Sequence, residues 1–169
     1  MPSDDRITLE RETDRLLLRP LEDRDAEAVR AITDDPAITD AIDFLPSPFS
    51  VEDARAVVRG KAGDRMFGAW HRASGTLIGV VGTHRASRTE IEIGYWIASP
   101  FHGDGYASES VGRVITVLRE LHPKHTIFAE CRPENRASWR VLEKLGFFPT
   151  GGDGHRAGRK KLILGLTSF

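Results

Sequence analysis

The chain has 169 residues, a length typical of one domain spanning residues 1–169, with a core that needs no disulfide or metal to fold. Its 24 basic and 25 acidic side chains give a formal net charge of −1, which excludes a broad positive field for nucleic acid or an anionic membrane. A single cysteine, Cys131, excludes an intramolecular disulfide and a cysteine-built zinc site.

The first part of the chain predicts a strand, two helices and a loop between the helices. The strand is short, apolar and closed by Pro20, and the first helix has apolar residues at helical spacing until Asp34-Asp35-Pro36 ends it. The second helix opens on Ser50-Val51-Glu52-Asp53, which resembles a capping box. The predicted bounds are 15–19 for the strand, 23–33 and about 50–60 for the helices, and 37–48 for an irregular loop.

The middle of the chain predicts three antiparallel strands joined by short hairpins, because brief turn-like breaks separate strand-like apolar stretches. A glycine-bearing loop then leads into a helix and a further strand. Since a strand, a helix and a strand in this order form a crossover, the two flanking strands should be parallel. The predicted strands are 66–71, 76–84, 90–97 and 125–131, and the helix is about 107–121.

The last part of the chain predicts one helix and a closing hairpin. The helix covers 134–145, and Gly146 suits its C-terminal cap. Phe147-Phe148 and Lys161-Leu162-Ile163-Leu164 flank a glycine-rich stretch, a pattern typical of a hairpin. The complete order of elements predicts an α/β protein with a mixed sheet.

The loop His102-Gly103-Asp104-Gly105-Tyr106-Ala107 lies between a predicted strand and a predicted helix. Glycines let the backbone approach a ligand closely, and a helix N-terminus offers unpaired N–H groups that suit a diphosphate. A turn without any ligand explains the same residues, because Gly-x-Gly alone is a weak signal. The loop lacks the Lys-Ser/Thr of a P-loop and the third glycine of a dinucleotide fingerprint.

Several spaced motifs extend this loop into a pattern over nearly the whole chain. They are Glu12-Thr13-Asp14-Arg15-Leu16-Leu17-Leu18-Arg19-Pro20, Ile91-Glu92-Ile93-Gly94-Tyr95-Trp96-Ile97, the loop itself, Asn135-Arg136-Ala137-Ser138 and Lys144-Leu145-Gly146-Phe147. In this order they resemble the GNAT superfamily of N-acetyltransferases, in the branch similar to ribosomal-protein alanine N-acetyltransferases (RimJ/RimL-like).

The resemblance implies both a fold and a reaction. The GNAT fold is a mixed, mostly antiparallel sheet of about seven strands, flanked by about four helices and splayed between its fourth and fifth strands. The reaction is direct transfer of an acetyl group from the cosubstrate acetyl-CoA to a primary amine, without a metal. A protein N-terminus and a small-molecule amine are both open as acceptors, and a homodimer is compatible with the sequence.

The resemblance also implies that the backbone amides of His102–Ala107 bind the CoA diphosphate. The fixed positions of the family pattern are filled here by His102, Gly105 and Ala107. Asp104 stands where relatives commonly have a basic residue, and a carboxylate repels a diphosphate. We therefore expect Asp104 to point to solvent or to be offset by nearby cations, the candidates being Arg136, Arg140 and Lys144.

The strand with Gly94 should form one wall of the cleft for the pantetheine arm. A glycine inside a strand suggests a bulge or a close backbone approach. In the resembled fold, backbone groups near Trp96 and Ile97 hydrogen-bond the pantetheine and the thioester oxygen. Core packing alone explains the side chain of Trp96 equally well.

Glu92 is the first candidate for the general base, acting directly or through water. It shares alternation parity with Glu90 and Gly94 on a strand otherwise rich in isoleucine. A carboxylate that faces an apolar cleft would have a raised pKa, which favours proton abstraction near neutral pH. The alternative is that Glu90 and Glu92 form the solvated face of a half-buried strand. Glu90 is the second candidate.

Asn135 and Ser138 are three residues apart and share one face near the start of a predicted helix. Asn135 is equally suited to be an N-cap, whereas the family match implies an amide contact to CoA. Ser138 would donate a proton to the leaving thiolate, a role that a tyrosine has in many related transferases. Tyr95 and Tyr106 both precede that helix, which leaves Ser138 as the better candidate.

The segment 38–49 should border the acceptor amine, by analogy with the resembled family. Its side chains suit a cationic amine with an apolar body, although an ordinary acidic surface loop explains them as well. The side chains concerned are Asp40, Asp43, Phe44 and Phe49. A non-catalytic acyl-CoA-binding module of the same fold is the alternative function.

The remaining features predict a cytoplasmic protein with neither a metal nor a membrane partner. Residues 1–6 are polar and acidic, unlike a signal peptide, and no apolar run approaches the ~20 residues that span a bilayer. His122 and His125 lack further ligands at metal spacing. Cys131 has no adjacent histidine and should be a small buried residue rather than a covalent nucleophile.

Overall fold

The computed structural model describes residues 9–166, where the chain forms an eight-stranded sheet and five α-helices. The strands are β1 (Arg11–Glu12), β2 (Leu16–Pro20), β3 (Arg65–His71), β4 (Thr76–Arg85), β5 (Glu90–Ile97), β6 (Thr126–Cys131), β7 (Phe147–Asp153) and β8 (Lys160–Leu164). The helices are α1 (Ala26–Thr33), α2 (Pro36–Thr39), α3 (Val51–Arg59), α4 (Tyr106–Leu121) and α5 (Arg136–Lys144). Residues 1–6, on which the signal-peptide argument rests, lie outside this range.

The sheet is mixed and mostly antiparallel, as predicted. Its strand order within residues 9–166 is β1-β2-β3-β4-β5-β6-β8-β7, and β5 with β6 is the parallel pair among these neighbours. The sheet has one strand more than predicted because the short β1 pairs with β2 at its edge. The helix count rises because α2 lies partly in the predicted loop, where Asp35 caps it and Pro36 occupies its first turn.

The parallel strands β5 and β6 pair only over their first residues. Glu90–Glu92 lie opposite Thr126–Phe128, whereas β5 continues to Ile97 and β6 to Cys131. These are the strands predicted as the fourth and fifth of the sheet, so the predicted splay is confirmed. Beyond Glu92, one edge of β5 has no paired strand and borders an opening in the sheet.

Two clusters of buried apolar side chains pack against the sheet. The two clusters use opposite sides of β5, because Ile91 and Ile93 alternate with Trp96 along the strand. The first cluster includes Ile91 and Ile93 with the apolar face of α4, and the second includes Trp96 with residues of α1 and α3. Helices therefore cover both faces, and the opening between β5 and β6 lies in the middle layer.

Gly94 does not mark a bulge, so the first of the two alternatives given for this glycine was wrong. The pairing of β4 with β5 keeps one register from Gly79 opposite Ile97 to Arg85 opposite Ile91. A Cβ placed on Gly94 would meet no atom within 4 Å, so the position faces open space. The glycine belongs to the wall of a cleft rather than to an irregular strand.

Candidate active site

A cleft of about 1050 Å³ opens where β5 and β6 separate. One end, which we call the α4 end, lies at the loop before α4 and at the start of α5. The other, the α3 end, lies between β4, β5, α3 and the segment that connects α2 to α3. A volume at the upper end of the usual range for small-molecule sites leaves room for a long ligand.

The loop at the α4 end has the geometry of an anion site. Gly103 and Gly105 each have φ of 82°, a left-handed conformation that favours glycine. Gly105 is the N-cap of α4 and no side chain caps that end, so the N–H groups of the first turn keep their partial positive charge. Tyr106 and Ala107 in that turn line the cleft. A phosphate group is the kind of ligand that such a terminus binds.

Asp104 points away from this site. It is exposed, and it is the one residue between 102 and 108 that does not line the cleft. The pKa of Arg15 is raised by its hydrogen bond to Glu109 and, more weakly, by the charge of Asp104. Arg15 is therefore a cation near Asp104 that the sequence did not single out, and the three cations proposed from the sequence do not line the cleft.

The side chains of His102 and Trp96 are both engaged within the protein. The ring of His102 donates from Nε2 to the carbonyl oxygen of Ile97 at 2.5 Å, which ties the loop to the end of β5. Trp96 is buried and donates from Nε1 to Oγ1 of Thr33 at 3.0 Å. Core packing thus accounts for the Trp96 side chain, although Trp96 and Ile97 also contribute to the wall of the cleft.

Contacts of the Tyr106 ring hold the loop before α4 in place. The Arg15 guanidinium lies 3.9 Å over its ring, and Phe101 packs edge-on against it with ring centroids 5.8 Å apart. These contacts fix the first turn of α4 against the core.

Glu92 lies in the cleft but does not face an apolar environment. Its Oε1 accepts a hydrogen bond from Nη1 of Arg156 at 2.6 Å, and the same nitrogen lies 3.1 Å from Oε2 of Glu130. The pKa of Arg156 is raised because its bonds to these carboxylates outweigh the opposing effect of burial. The expectation of apolar surroundings was wrong because Arg156 comes from the distant β7–β8 connection.

Glu130 anchors the β7–β8 connection. Its side chain is fully buried and accepts from the backbone N–H and ring Nδ1 of His155 and from the backbone N–H of Arg156. Burial raises the pKa of Glu130, but these hydrogen bonds and the charge of Arg156 bring it below its ordinary value. A Cβ on Gly154 would lie 2.7 Å from Cδ of Glu130, so the chain passes too close for a larger residue. Glu130 therefore holds Arg156 in place.

Glu90, the second candidate base, lies outside the cleft. Its carboxylate pairs with Nζ of Lys161 at 2.7 Å. It therefore behaves as the solvated-face alternative describes, whereas Glu92 does not.

Ser138 and Tyr95 meet across the cleft. The Tyr95 hydroxyl lies 2.8 Å from Oγ of Ser138 and donates to the Ser138 carbonyl at 3.3 Å. Burial raises the pKa of Tyr95 to about 12 despite the opposing hydrogen bond with Ser138. Sequence reasoning set Tyr95 aside because it precedes α5. Tyr95 and Ile93 are two residues apart and so lie on the same side of β5, which is the side on which α5 packs. This alternation could have identified Tyr95 from the sequence.

Asn135 and Cys131 flank this pair. Asn135 is the N-cap of α5, its Oδ1 accepting from the Ser138 N–H at 3.2 Å, as the capping alternative predicts. Both Asn135 and Cys131 line the cleft. Cys131 is buried, and burial raises the pKa of its thiol, so it stays protonated and weakly nucleophilic.

The α3 end has apolar walls and few free charges. Asp43 pairs with Arg132 and lies 3.4 Å from Nε of Arg159, and Asp40 does not line the cleft. Phe49 is a core side chain, 1% exposed, whereas Phe44 is 59% exposed at the rim. The Asp43 carboxylate is thus bound to arginines, and Asp40 lies outside the cleft, so neither fits the predicted contact to an amine. The walls are formed chiefly by Ile38, Ile42, Leu45, Val57 and Met66.

A histidine that the sequence did not single out also lines the α3 end. His84 lies on β4 directly opposite Glu92, and its Nδ1 is 2.5 Å from Oδ1 of Asp64. Within residues 9–166, no three His, Cys, Asp or Glu side chains are grouped closely enough to hold a metal ion. No helix in the same range is long and apolar enough to cross a membrane.

Known proteins are similar to this chain in sequence and in structure. A family model described as an acetyltransferase (GNAT) domain matches residues 15–148. The chain is 34% identical over 139 residues to YnaD of Bacillus subtilis (strain 168), described as an uncharacterized N-acetyltransferase, with 79% of each chain covered. A solved GNAT-family acetyltransferase from Bacillus anthracis has a TM-score of 0.76 at 28% identity, covering 92% of this chain and 96% of that one.

A more distant structure has the same fold and was solved with CoA. It is the ribosomal L7/L12 alpha-N-protein acetyltransferase RimL, with a TM-score of 0.77 at 20% identity, covering 89% of this chain and 94% of that one. Likeness at that identity shows the fold alone, and it agrees with the predicted RimJ/RimL-like resemblance. Because the family model spans the glycine loop, the splayed strands and Ser138, the chain belongs to the GNAT family of acetyltransferases and is an acyltransferase.

Proposed function

We propose that the protein transfers an acetyl group from acetyl-CoA directly to a primary amine carried on an apolar body. The observation that carries this proposal is the continuity of the cleft. One space joins the uncapped N-terminus of α4, the unpaired edge of β5 and Glu92. A nucleotide-bearing thioester thus has an anion site at one end of the cleft and a carboxylate near the other.

The α4 end binds the coenzyme in this proposal. The N–H groups of Tyr106 and Ala107 receive the diphosphate, with Gly103 and Gly105 letting the backbone approach it closely. The pantetheine arm takes the place of a missing strand along β5 beyond Gly94. Backbone groups there hydrogen-bond the arm and the thioester oxygen, which polarises the carbonyl.

Tyr95 and Ser138 stabilise the departing thiolate. A Tyr95 hydroxyl with a pKa of about 12 stays protonated at neutral pH. Its hydrogen bond with Ser138 aligns two hydroxyls, so that the Ser138 O–H bond breaks as the S–H bond of CoA forms. The proton that the newly acylated nitrogen loses then returns to this pair, so both hydroxyls end the reaction protonated. The tyrosine expected from the resemblance is thus supplied by β5.

Direct transfer is favoured over a covalent acetyl-enzyme. Cys131 is the cysteine of the cleft, and burial raises the pKa of its thiol. A protonated thiol is a poor nucleophile. Glu92 instead attracts the acceptor ammonium and takes up its proton, directly or through water.

The acceptor body lies against the apolar α3 end. Since Glu92 lines the cleft and Asp43 does not, Glu92 supplies the negative charge that selects an amine. A protein N-terminus with an apolar first side chain and a small apolar amine both fit this description. A panel of N-terminal peptides and free amines, read by mass spectrometry, separates them.

The test combines acetyl-CoA binding with release of free thiol. Calorimetry with acetyl-CoA should register binding, and the purified protein should release CoA thiol when an accepted amine is added. Binding without thiol release for any amine would favour the alternative, a non-catalytic acyl-CoA-binding module. Absence of binding would refute both.

Ser138→Ala tests the leaving-group role. We expect kcat to fall about tenfold to a hundredfold, with the Kd for acetyl-CoA nearly unchanged, because the hydroxyl acts when sulfur departs. Ser87→Ala, on the exposed β4–β5 turn, is the matched control. A large loss of coenzyme affinity with unchanged kcat would contradict the role.

A further inference from the structure

The α3 end contains a histidine–aspartate pair that faces Glu92 across two neighbouring strands. His84 on β4 is the register partner of Glu92 on β5, and both side chains line the cleft. Opposite residues on one face of an antiparallel pair have Cβ atoms about 5 Å apart. The imidazole and the carboxylate are thus within reach of one bridging water.

The pair has a defined hydrogen-bonding direction. The Asp64 carboxylate accepts from Nδ1 of His84, so the neutral ring carries its proton on Nδ1 and a lone pair on Nε2. Asp64 is itself held by the Lys61 backbone N–H, which donates to its Oδ2 at 2.9 Å. Within residues 9–166, Nε2 of His84 has no hydrogen-bond partner. The ring is therefore oriented and has one free basic nitrogen.

Glu92 is already engaged by a cation and is poorly placed to pass a proton to solvent. Its Oε1 accepts a hydrogen bond from Nη1 of Arg156 at 2.6 Å, and its side chain is 14% exposed. A proton that Glu92 takes up therefore needs a second group to carry it out of the cleft. The His84 side chain is the more exposed of the two, and imidazole is a common proton carrier in enzymes.

We propose that His84, oriented by Asp64, is the final acceptor of the proton that the acceptor ammonium loses. This inference rests on the proposed function. An N–H bond of the ammonium breaks as its proton passes to Glu92, directly or through water, and the proton then moves through a bridging water to Nε2 of His84, where an N–H bond forms. His84 then returns the proton to bulk water, since its side chain is 47% exposed at the edge of the cleft.

Charged side chains of both signs surround His84. The Asp64 and Glu92 carboxylates face a developing imidazolium with stabilising negative charge, and Lys61 at the rim adds one positive charge. Beyond Glu92, the Arg156 charge is shared between two carboxylates.

The test compares His84→Gln with the matched control His125→Gln, which lies outside the cleft. The probes are primary amines from the panel whose own pKa values lie above and below neutrality. For amines protonated at neutral pH, His84→Gln should lower kcat about a hundredfold and remove the acidic limb of the pH–rate profile. Amines that are already neutral need not lose a proton before they attack the thioester, so their rates should change little.

Two further measurements separate catalysis from structure. The acetyl-CoA Kd of His84→Gln should match that of the wild type, and free imidazole should restore part of the activity of His84→Ala. Unchanged kcat and pH dependence in His84→Gln, or equal losses for both groups of amines, would overturn the role of His84 while leaving the transferase intact. Absence of amine acetylation by the wild type would overturn the proposed function itself.

Discussion

Arg156 connects two carboxylates of very different exposure. Glu130 is fully buried and Glu92 has a side chain 14% exposed, and one nitrogen of Arg156 serves both. A buried charge is tolerated when it is paired and fully hydrogen-bonded, which is the case for Glu130. The position of the charge that acts on Glu92 is thus set by a fully buried carboxylate.

Glu130→Gln should lower the free energy of unfolding by about 3 kcal/mol near neutral pH, because it removes one partner of a buried ion pair. The contribution of Glu130 to the free energy of unfolding depends on pH with a defined sign. Hydrogen bonds hold the pKa of Glu130 in the folded state below its ordinary value of 4.5, so its contribution is complete above that value. The contribution is lost as pH falls from about 4.5 through the folded-state pKa.

Denaturant titrations near neutral pH and at about pH 3 check this prediction. The stability gap between wild type and Glu130→Gln should narrow at the lower pH, because the wild-type contribution declines once the pH falls below 4.5. Glu134→Gln, at an exposed position before α5, is the control and should leave both values unchanged. A gap that stays constant with pH would show that Glu130 acts by packing alone.

At the level of elements, three pieces of chain distant in sequence are joined over the α3 end. Asp43 in the α2–α3 segment pairs with Arg132 after β6 and with Arg159 before β8, and Arg159 also donates to the carbonyl oxygen of Ala41 at 3.2 Å. The hydrogen bond with Arg132 is the main cause that lowers the pKa of Asp43. We call this group the Asp43 clamp.

Asp43→Asn should weaken acceptor binding without affecting the coenzyme. Loss of two exposed ion pairs loosens the α2–α3 segment, and we expect the acceptor KM to rise roughly threefold to tenfold with kcat and the acetyl-CoA Kd near wild type. Steady-state kinetics with calorimetry measure all three values. Asp153→Asn, which removes an exposed ion pair outside the cleft, is the control. A weaker acetyl-CoA Kd would show that the clamp supports the whole cleft.

Elements were largely predictable because their signals are local. The capping box at Ser50, the glycine before α4 and the short breaks between β3, β4 and β5 all act within a few residues. The pairs that define the cleft are not local. Arg156 meets Glu92, and Tyr95 meets Ser138, through contacts between distant segments that no spacing in the sequence encodes.

The same limit explains His84. Its role depends on the register of β4 against β5 and on Asp64 from the α3–β3 connection. Alternation predicts which face of a strand a residue occupies, but the register that pairs it with Glu92 follows from the whole hairpin. The α4 loop, in contrast, was identified from its glycines, because positive φ is a property of single residues.

For the whole molecule, the opening between β5 and β6 is a weak place in the sheet. Backbone pairing stops after Glu92 and Phe128. Beyond that short ladder, β5 is joined to the second part of the sheet, β6 with β8 and β7, by helix packing and by the ion pairs Glu90–Lys161 and Glu92–Arg156. A ligand that lies in the opening contacts both sides at once. It therefore stabilises the folded protein by mass action.

Hydrogen exchange with and without acetyl-CoA tests this prediction. At a concentration about one hundred times Kd, binding contributes about 2.7 kcal/mol, so amides that exchange through opening of the cleft should slow up to about a hundredfold. The effect should be largest at Gly94–Ile97 and in the first turn of α4, and smallest in β1 and β2, which lie at the far edge of the sheet. Equal slowing in β1 and β2 would mean that the coenzyme stabilises the fold only globally. If slower exchange were confined to α4, the diphosphate would bind without the pantetheine arm entering the opening. That outcome would contradict the proposed path of the arm along β5.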